Sequence, residues 1–370
     1  SGIAGGNTNV GDATGNTVTM TDSRVTTVYG GSTNAGNASG NIVTMTGGGS
    51  NEALSVAGGI SLASGNATDN KVTITNLAAD TDFLSGMPAL LGGAAMDGEA
   101  AGNTLTITQN NGTALNMAEY SVGAYGGYGS TGASDNKLIV SGDDFTAYDL
   151  YGGYTASGDA DSNSISVDGS IISDKAYGGY TGSGTASGNK VTVENVDDSE
   201  AGLTAPGTIA GGYSASGNVE GNETVLKDNA SVTANVYGGQ SGKGNATGNT
   251  VELTNTTLTR SGNLVNVYGG YTADGTASGN KASLDTSFAN DVYGGYVVNG
   301  DAVNNNASVK NSTLPNVYGG YVSGTGNAIS NTATLGSSTI NTIMGGMTQT
   351  GNATGNTVTM TDSGAVEAVG

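Results

Sequence analysis

The chain of 370 residues contains no cysteine, no histidine and no tryptophan. It has three prolines, three phenylalanines and only two arginines, Arg24 and Arg260. Each shortage removes a class of function. Without His or Cys there is no Ser–His triad, no thiol nucleophile and no zinc site of the usual ligands. Lys and Arg number 10 against 31 Asp and Glu, a formal net charge of −21. Such a chain repels phosphates, so nucleic acid is not expected as a partner. No apolar run approaches the ~18 residues of a helical membrane span. No signal peptide opens the sequence, so any targeting segment is expected outside it. No cofactor or metal site is expected.

What the sequence does have is glycine, 66 residues of it, well above the average of roughly 7%. Scattered glycines would suggest a disordered low-complexity chain, but these fall at regular places. Gly-Gly pairs begin at Gly5, Gly30, Gly58, Gly92, Gly126, Gly152, Gly178, Gly211, Gly238, Gly269, Gly294, Gly319 and Gly345, which makes thirteen units. An asparagine follows the second glycine of each pair by 9–11 residues: Asn16, Asn41, Asn70, Asn103, Asn136, Asn163, Asn189, Asn222, Asn249, Asn280, Asn305, Asn331 and Asn356. Three residues before it stands Ala, or Val219 in one unit. Four residues after it stands Met, Ile, Val or Leu in all thirteen. Residues 11–23 and 351–363, GDATGNTVTMTDS and GNATGNTVTMTDS, differ at one position.

The stretch after each Asn alternates, as in Thr17-Val18-Thr19-Met20-Thr21. β-Branched residues with period two describe a strand with one buried face. Gly and Asn around each strand are expected to supply turns of positive φ. One such strand cannot bury its apolar face, but thirteen stacked units can. The expected fold is all-β, a parallel β-helix (β-solenoid) of about thirteen coils of 25–34 residues, from Gly5 to Gly30 at the short end and Gly58 to Gly92 at the long end. Residues 1–370 are expected to be one continuous solenoid, a segment of a longer protein. In it the thirteen asparagines form a structural ladder, each amide donating to one coil and accepting from another. The Ala before each fits a tight corner.

The Gly-Gly to Asn distance hardly varies, whereas the Asn to next Gly-Gly distance ranges from 14 (Asn16 to Gly30) to 23 (Asn103 to Gly126). Insertions at 76–91, 109–123, 194–208 and 254–266 therefore enter at one corner, the expected binding edge. The first holds Phe83, Leu84, Met87 and Leu90, read either as a loop folded on its own core or as a partner-binding knob. Loop 194–208 carries Glu194, Asp197, Asp198 and Glu200, read as a solvated charge run with a weak calcium site as the alternative, although the spacing matches neither an EF-hand nor a glycine–aspartate nonapeptide repeat.

Of 17 tyrosines, 15 flank the glycine pairs. Residues three apart on a regular strand face opposite ways. One column is thus expected inside and one outside, unless the glycines bend the chain. Tyr154, Tyr180, Tyr271, Tyr296 and Tyr321 are candidates for an outer aromatic strip that stacks on sugar rings. Paired acids such as Asp143-Asp144 and Asp159/Asp161 lack a basic neighbour in sequence, so catalysis is not expected. Interrupted Thr arrays (Ser166/Asp168, Thr192/Glu194) argue against an ice-binding face.

The phrases VYGGY (267–271), YGGYTASG (151–158), NSISV (163–167) and GNATGNTVTM (351–360) resemble repeats of bacterial autotransporter passenger domains and filamentous-haemagglutinin-like adhesins. The resemblance covers the whole chain as a repeat style. It implies a right-handed helix, an extracellular or cell-surface location, and adhesive or structural work without catalysis. The partners it implies are a host or bacterial surface glycan or protein. The membrane-anchoring barrel of that family is missing from these residues. A second expectation is self-association end to end, because Gly345 to Gly370 spans 25 residues, one further period.

Overall fold

The computed structural model describes the chain except for residues 1, 24, 48–54, 78–88, 113, 119–120, 197–206, 229, 259–264 and 370. The chain is all-β, its parallel strands stacked as a β-solenoid, with no α-helix among the described residues. It divides into two compact units, Ser1–Thr181 and Gly182–Gly370.

In each unit a coil contributes three strands. A long Gly-Gly strand, such as Phe145–Thr155 or Asp291–Asn299, carries the glycine pair. A two- or three-residue corner strand carries the Ala, as at Ala160–Asp161 or Ala302–Val303. A five-residue Thr strand follows the Asn, as at Ser164–Asp168 or Asn306–Lys310. Each strand pairs in parallel with its counterpart in the next coil, in register. Leu105 thus faces Leu138, and Ile107 faces Val140. The first glycine of each pair drops out of this register: Tyr125 pairs Tyr151 and Gly127 pairs Gly153, with Gly126 and Gly152 skipped. The chain bends there in every coil.

The core is the meeting of three inward columns. Val28, Val56 and Leu90 come from the Gly-Gly strands, Ala38, Ala67 and Ala100 from the corners, and Val43/Met45, Val72/Ile74 and Leu105/Ile107 from the Thr strands, all at most 1% exposed. In the second unit Val267, Ala277 and Leu284 repeat the arrangement. Outward positions of the Thr strands carry mostly polar side chains, Ile42, Ile139 and Val225 being exceptions, and some register partners have opposite charge. Lys190 meets Glu223 at 2.8 Å and Lys227 meets Glu194 at 2.5 Å. These exposed pairs contribute little to stability, but they avoid like charges on adjacent rungs.

The asparagines run along the inside of the corner and, from Asn41 to Asn331, are 0–1% exposed. Each Nδ2 donates to the Oδ1 of the next coil's Asn, at 2.8–3.1 Å within each unit. Its second proton goes to the carbonyl of the preceding coil's corner residue, as from Asn41 to Ala13 at 2.9 Å and Asn280 to Ala246 at 2.8 Å. Each Oδ1 also accepts the backbone N–H of the Asn before it, at 2.9–3.1 Å. An internal rung therefore has both donors and both acceptor sites occupied. The residue before each Asn has φ between 53° and 67° in all thirteen coils; eight are Gly, and Asp69, Asp135, Ser162, Asn304 and Ser330 fill the rest. The left-handed turn thus sits one residue before the ladder.

The glycine pair has a packing reason rather than a positive φ. A Cβ on the second glycine, as at Gly270, would overlap the amide of Asn280 in its own coil. A Cβ on the first, as at Gly269, would overlap the carbonyl oxygen of Gly294 in the next. Both separations are closer than real Cβ atoms reach.

Insertions fold back where they are described. Leu115–Asn116 pairs with Phe145–Thr146, and Leu115, Met117 and Val122 are at most 1% exposed. Gln109 Nε2 donates to the Leu77 carbonyl at 2.8 Å. Leu90 is likewise buried, 1% exposed, so it belongs to the core and not to a partner-binding knob. Phe83, Leu84 and Met87 lie outside the described residues, as do Arg24, Arg260, Asp197, Asp198 and Glu200.

Asn280→Ala would leave the Asn249 Nδ2 and backbone N–H donors, the Asn305 acceptor and the Ala246 carbonyl short of a partner. It is expected to cost about 2–4 kcal/mol, more than one unsatisfied group of about 1–3 kcal/mol. Because repeat arrays lose two-state behaviour, the measurement is amide hydrogen exchange at Asn249 and Asn280. Protection factors within threefold of wild type would contradict the ladder's energetic role.

Candidate functional site: the tyrosine arrays

The bend at the first glycine decides where the tyrosines go. Of the two outcomes expected, alternation or a bend at the glycines, the bend is found: both columns stand on the same side of the sheet with their rings in contact. Tyr151 and Tyr154 meet edge to face at 5.4 Å and 89°. Tyr293 and Tyr296 do so at 5.2 Å and 87°. A residue skipped from the register restores the same facing to positions three apart.

Along each column the rings stack. In the first unit Tyr128, Tyr154 and Tyr180 stack at 5.0 and 4.8 Å, within 6° of parallel. In the second unit Tyr271, Tyr296 and Tyr321 stack at 5.3 and 5.2 Å, within 13°. In the column before the glycines Tyr237–Tyr268 stack at 4.7 Å and Tyr268–Tyr293 at 5.0 Å, whereas Tyr151–Tyr177 are tilted by 43° at 5.9 Å. The spacing matches the roughly 4.8 Å between strands, so in-register pairing alone brings rings to stacking distance. Each pair adds roughly 0.5–1.5 kcal/mol beyond area burial. The first column is the deeper one, Tyr151, Tyr177, Tyr237, Tyr268 and Tyr293 being 5–9% exposed. Tyr154, Tyr180, Tyr271, Tyr296 and Tyr321 are half-buried. Gln240 replaces a tyrosine in the outer column, in register with Tyr213 and Tyr271.

A polar column two residues before the inner tyrosines escaped sequence reasoning. Tyr151 Oη donates to Asp149 Oδ2 at 3.3 Å, Tyr293 Oη donates to Asp291 Oδ2 at 3.0 Å, and Asn266 Nδ2 donates to Tyr268 Oη at 3.0 Å. Asn316 Nδ2 reaches Asp291 Oδ1 at 2.7 Å. The residue type changes from coil to coil, so no consensus marks the column; its constant offset from Tyr was the available signal. Burial raises the Tyr268 phenol to about 12. Burial, then the Asp149 charge, raises Tyr125 and Tyr151; burial, then the Asp291 charge, raises Tyr293. Asp149 itself is pushed up to about 6, chiefly by burial, with Asp174 adding and Lys175 opposing. Lys175 Nζ lies 3.3 Å from Asp149 and 3.0 Å from Asp174.

The acids read from sequence are in part structural. Asp144 Oδ2 accepts the Gly112 N–H at 2.6 Å. A second, exposed ladder runs four residues before the Asn ladder: the Asn37 N–H goes to Asp12 Oδ1 at 2.7 Å, Asn66 to Asn37 at 2.9 Å, and Asn245 to Asn218 at 2.9 Å. Among the described residues no group of three or more acids is placed to hold a metal ion. No family model, curated protein or solved structure matches the chain.

The raised Asp149 value has a signed consequence. A carboxyl held at about 6 in the folded state and at about 3.9 unfolded stabilises the fold below about pH 4. That contribution is lost as pH rises through 6. Asp149→Asn is therefore expected to match wild type at pH 4 and to exceed it at pH 7 in urea midpoint. A difference that does not depend on pH would remove the argument.

Proposed function

We propose that the chain is a segment of a non-enzymatic bacterial adhesin or stalk, extracellular or on the cell surface, whose outer tyrosine column engages surface glycans. The observation that carries this reading is the half-exposed run of parallel rings at Tyr271, Tyr296 and Tyr321, spaced 5.2–5.3 Å apart. With their faces stacked on one another, these phenols on a rigid sheet offer a sugar a strip of ring rims and hydroxyls at little ordering cost. The likeness of the repeats to autotransporter passenger segments points the same way. Fold alone names no ligand, so the reading rests on the strip.

A second reading, self-association end to end, draws on the near-identity of residues 11–23 and 351–363. Coils that similar could stack by the contact the solenoid already repeats internally.

On a glycan array the wild-type protein is expected to give saturable binding. Tyr296→Ala and Tyr321→Ala should each weaken it about tenfold, one aromatic contact's worth. Unchanged binding in both variants would assign the glycan elsewhere. Electron microscopy separates the two readings: discrete particles favour the adhesin or stalk, and long fibres the self-assembling filament.

A further inference from the structure

The tyrosine array of the first unit has two rungs missing. In the inner column Tyr29 pairs with Ala57, Ala57 with Leu91, and Leu91 with Tyr125. In the outer column the series is Ser32, Ile60, Ala94 and Tyr128. Where six coils carry two rings, these two carry small or aliphatic side chains. The result is a groove of about 390 Å³ lined by Tyr29, Ile60, Ala89, Leu91, Tyr125 and Tyr128, with Met96 at its margin. Ala57, Ile60, Ala89, Leu91 and Ala94 form one buried apolar cluster beneath it, and the three tyrosines pack against that cluster.

Three properties define what fits. The length is set by strand spacing: Tyr29 and Tyr125 are three coils apart, about 14 Å, which leaves room for roughly two stacked rungs. The shape is set by the array, since Tyr125 stacks on Tyr151 at 4.8 Å and Tyr128 on Tyr154 at 5.0 Å, each on one ring face only. The opposite faces look toward the aliphatic rungs. The charge is set by the surroundings. The chain carries a net −21, exposed Asp97 directly follows Met96, and the described lysines of these coils, Lys71 and Lys137, lie on Thr strands, in another sheet. An electron-rich phenol face in a negative field favours a cation over its ring.

We propose that this groove is a binding site for a planar aromatic cation of two fused rings, which completes the outer column by stacking face to face on Tyr128 with its edge toward Tyr125, whose ring stands at 80° to that of Tyr128. Its walls are the same groups that hold rings in adjacent coils. Its occupant differs from a tyrosine in being a separate molecule and in carrying positive charge. The site is independent of the outer strip proposed for glycans, because the cluster beneath it is aliphatic and no ring of Tyr271, Tyr296 or Tyr321 contributes.

The test uses N-methylquinolinium as probe, followed by NMR, with 2-naphthalenesulfonate as the anion of similar shape. The cation is expected to bind saturably, its ring protons moving upfield as they enter the Tyr125 and Tyr128 ring currents. The anion should bind at least about tenfold more weakly. The double variant Ala57→Tyr/Leu91→Tyr fills the inner column with the residue other coils carry there, and should weaken the cation at least about tenfold. Ala94→Tyr fills the outer column and tests the same point separately. Each variant is checked for an unchanged β-sheet circular dichroism spectrum. The proposal is overturned if the cation shows no saturable binding to the wild-type protein, if the folded variants bind it as well as wild type does, or if the anion binds equally.

Discussion

The contact between a glycine and an asparagine amide governs this fold. The second glycine of each pair lies against the amide of its own coil, so close that a methyl group has no room. That approach lets the amide lie flat and meet its neighbours above and below at 2.8–3.1 Å. The ladder is more than a chain of pairwise bonds, because each internal amide also closes two backbone groups at the corner. A buried amide left partly satisfied is costly, so the geometry is nearly all-or-none. The Gly-Gly pair and the Asn occur together in coil after coil, with Ala at the corner in all but the coil of Val219.

The same constraint places the tyrosines. The first glycine leaves the pairing register so that its neighbour can reach the amide, and the resulting bend brings two tyrosines three residues apart onto one side. In-register stacking then brings the rings of successive coils to between 4.7 and 5.3 Å in the well-stacked pairs. The aromatic surface is thus a by-product of the interior contact, and its continuity depends only on which residues flank the glycines. Where Ala57, Ile60, Leu91 and Ala94 take those places the fold is unchanged, since the amide contact needs nothing from them, and a groove opens instead.

Much of this was legible in the sequence because repetition amplifies weak signals. One Asn after one Gly-Gly means little, but thirteen at nearly constant offset fix the coil, its inward column and its corner. The orientation of the tyrosines stayed open in the sequence, because strand alternation assumes a regular backbone and only the structure shows that the glycines bend it. The glycine pair itself showed this break, read as a turn signal when its cause is a close approach. The polar partners of Tyr151, Tyr268 and Tyr293 were hidden for a different reason. Asp149, Asn266 and Asp291 share a position and a hydrogen-bonding task but not a residue type. Leu90 was misread because an apolar loop and an apolar strand look alike where they join.

The polar partners also show how an acidic chain keeps a buried face. Asp149 is pushed up to about 6 mainly because it is buried beside aromatic rings, with Lys175 restraining the shift. Asp291 instead takes donors from Tyr293 and Asn316. One coil meets the carboxylate with a cation and the other with neutral donors, so the tyrosine array tolerates varied neighbours beneath a constant ring surface. That tolerance separates two requirements along the chain. The interior Gly–Asn contact admits almost no substitution. The positions flanking it are free to carry rings, gaps or charges, and any function of the surface must be written in them.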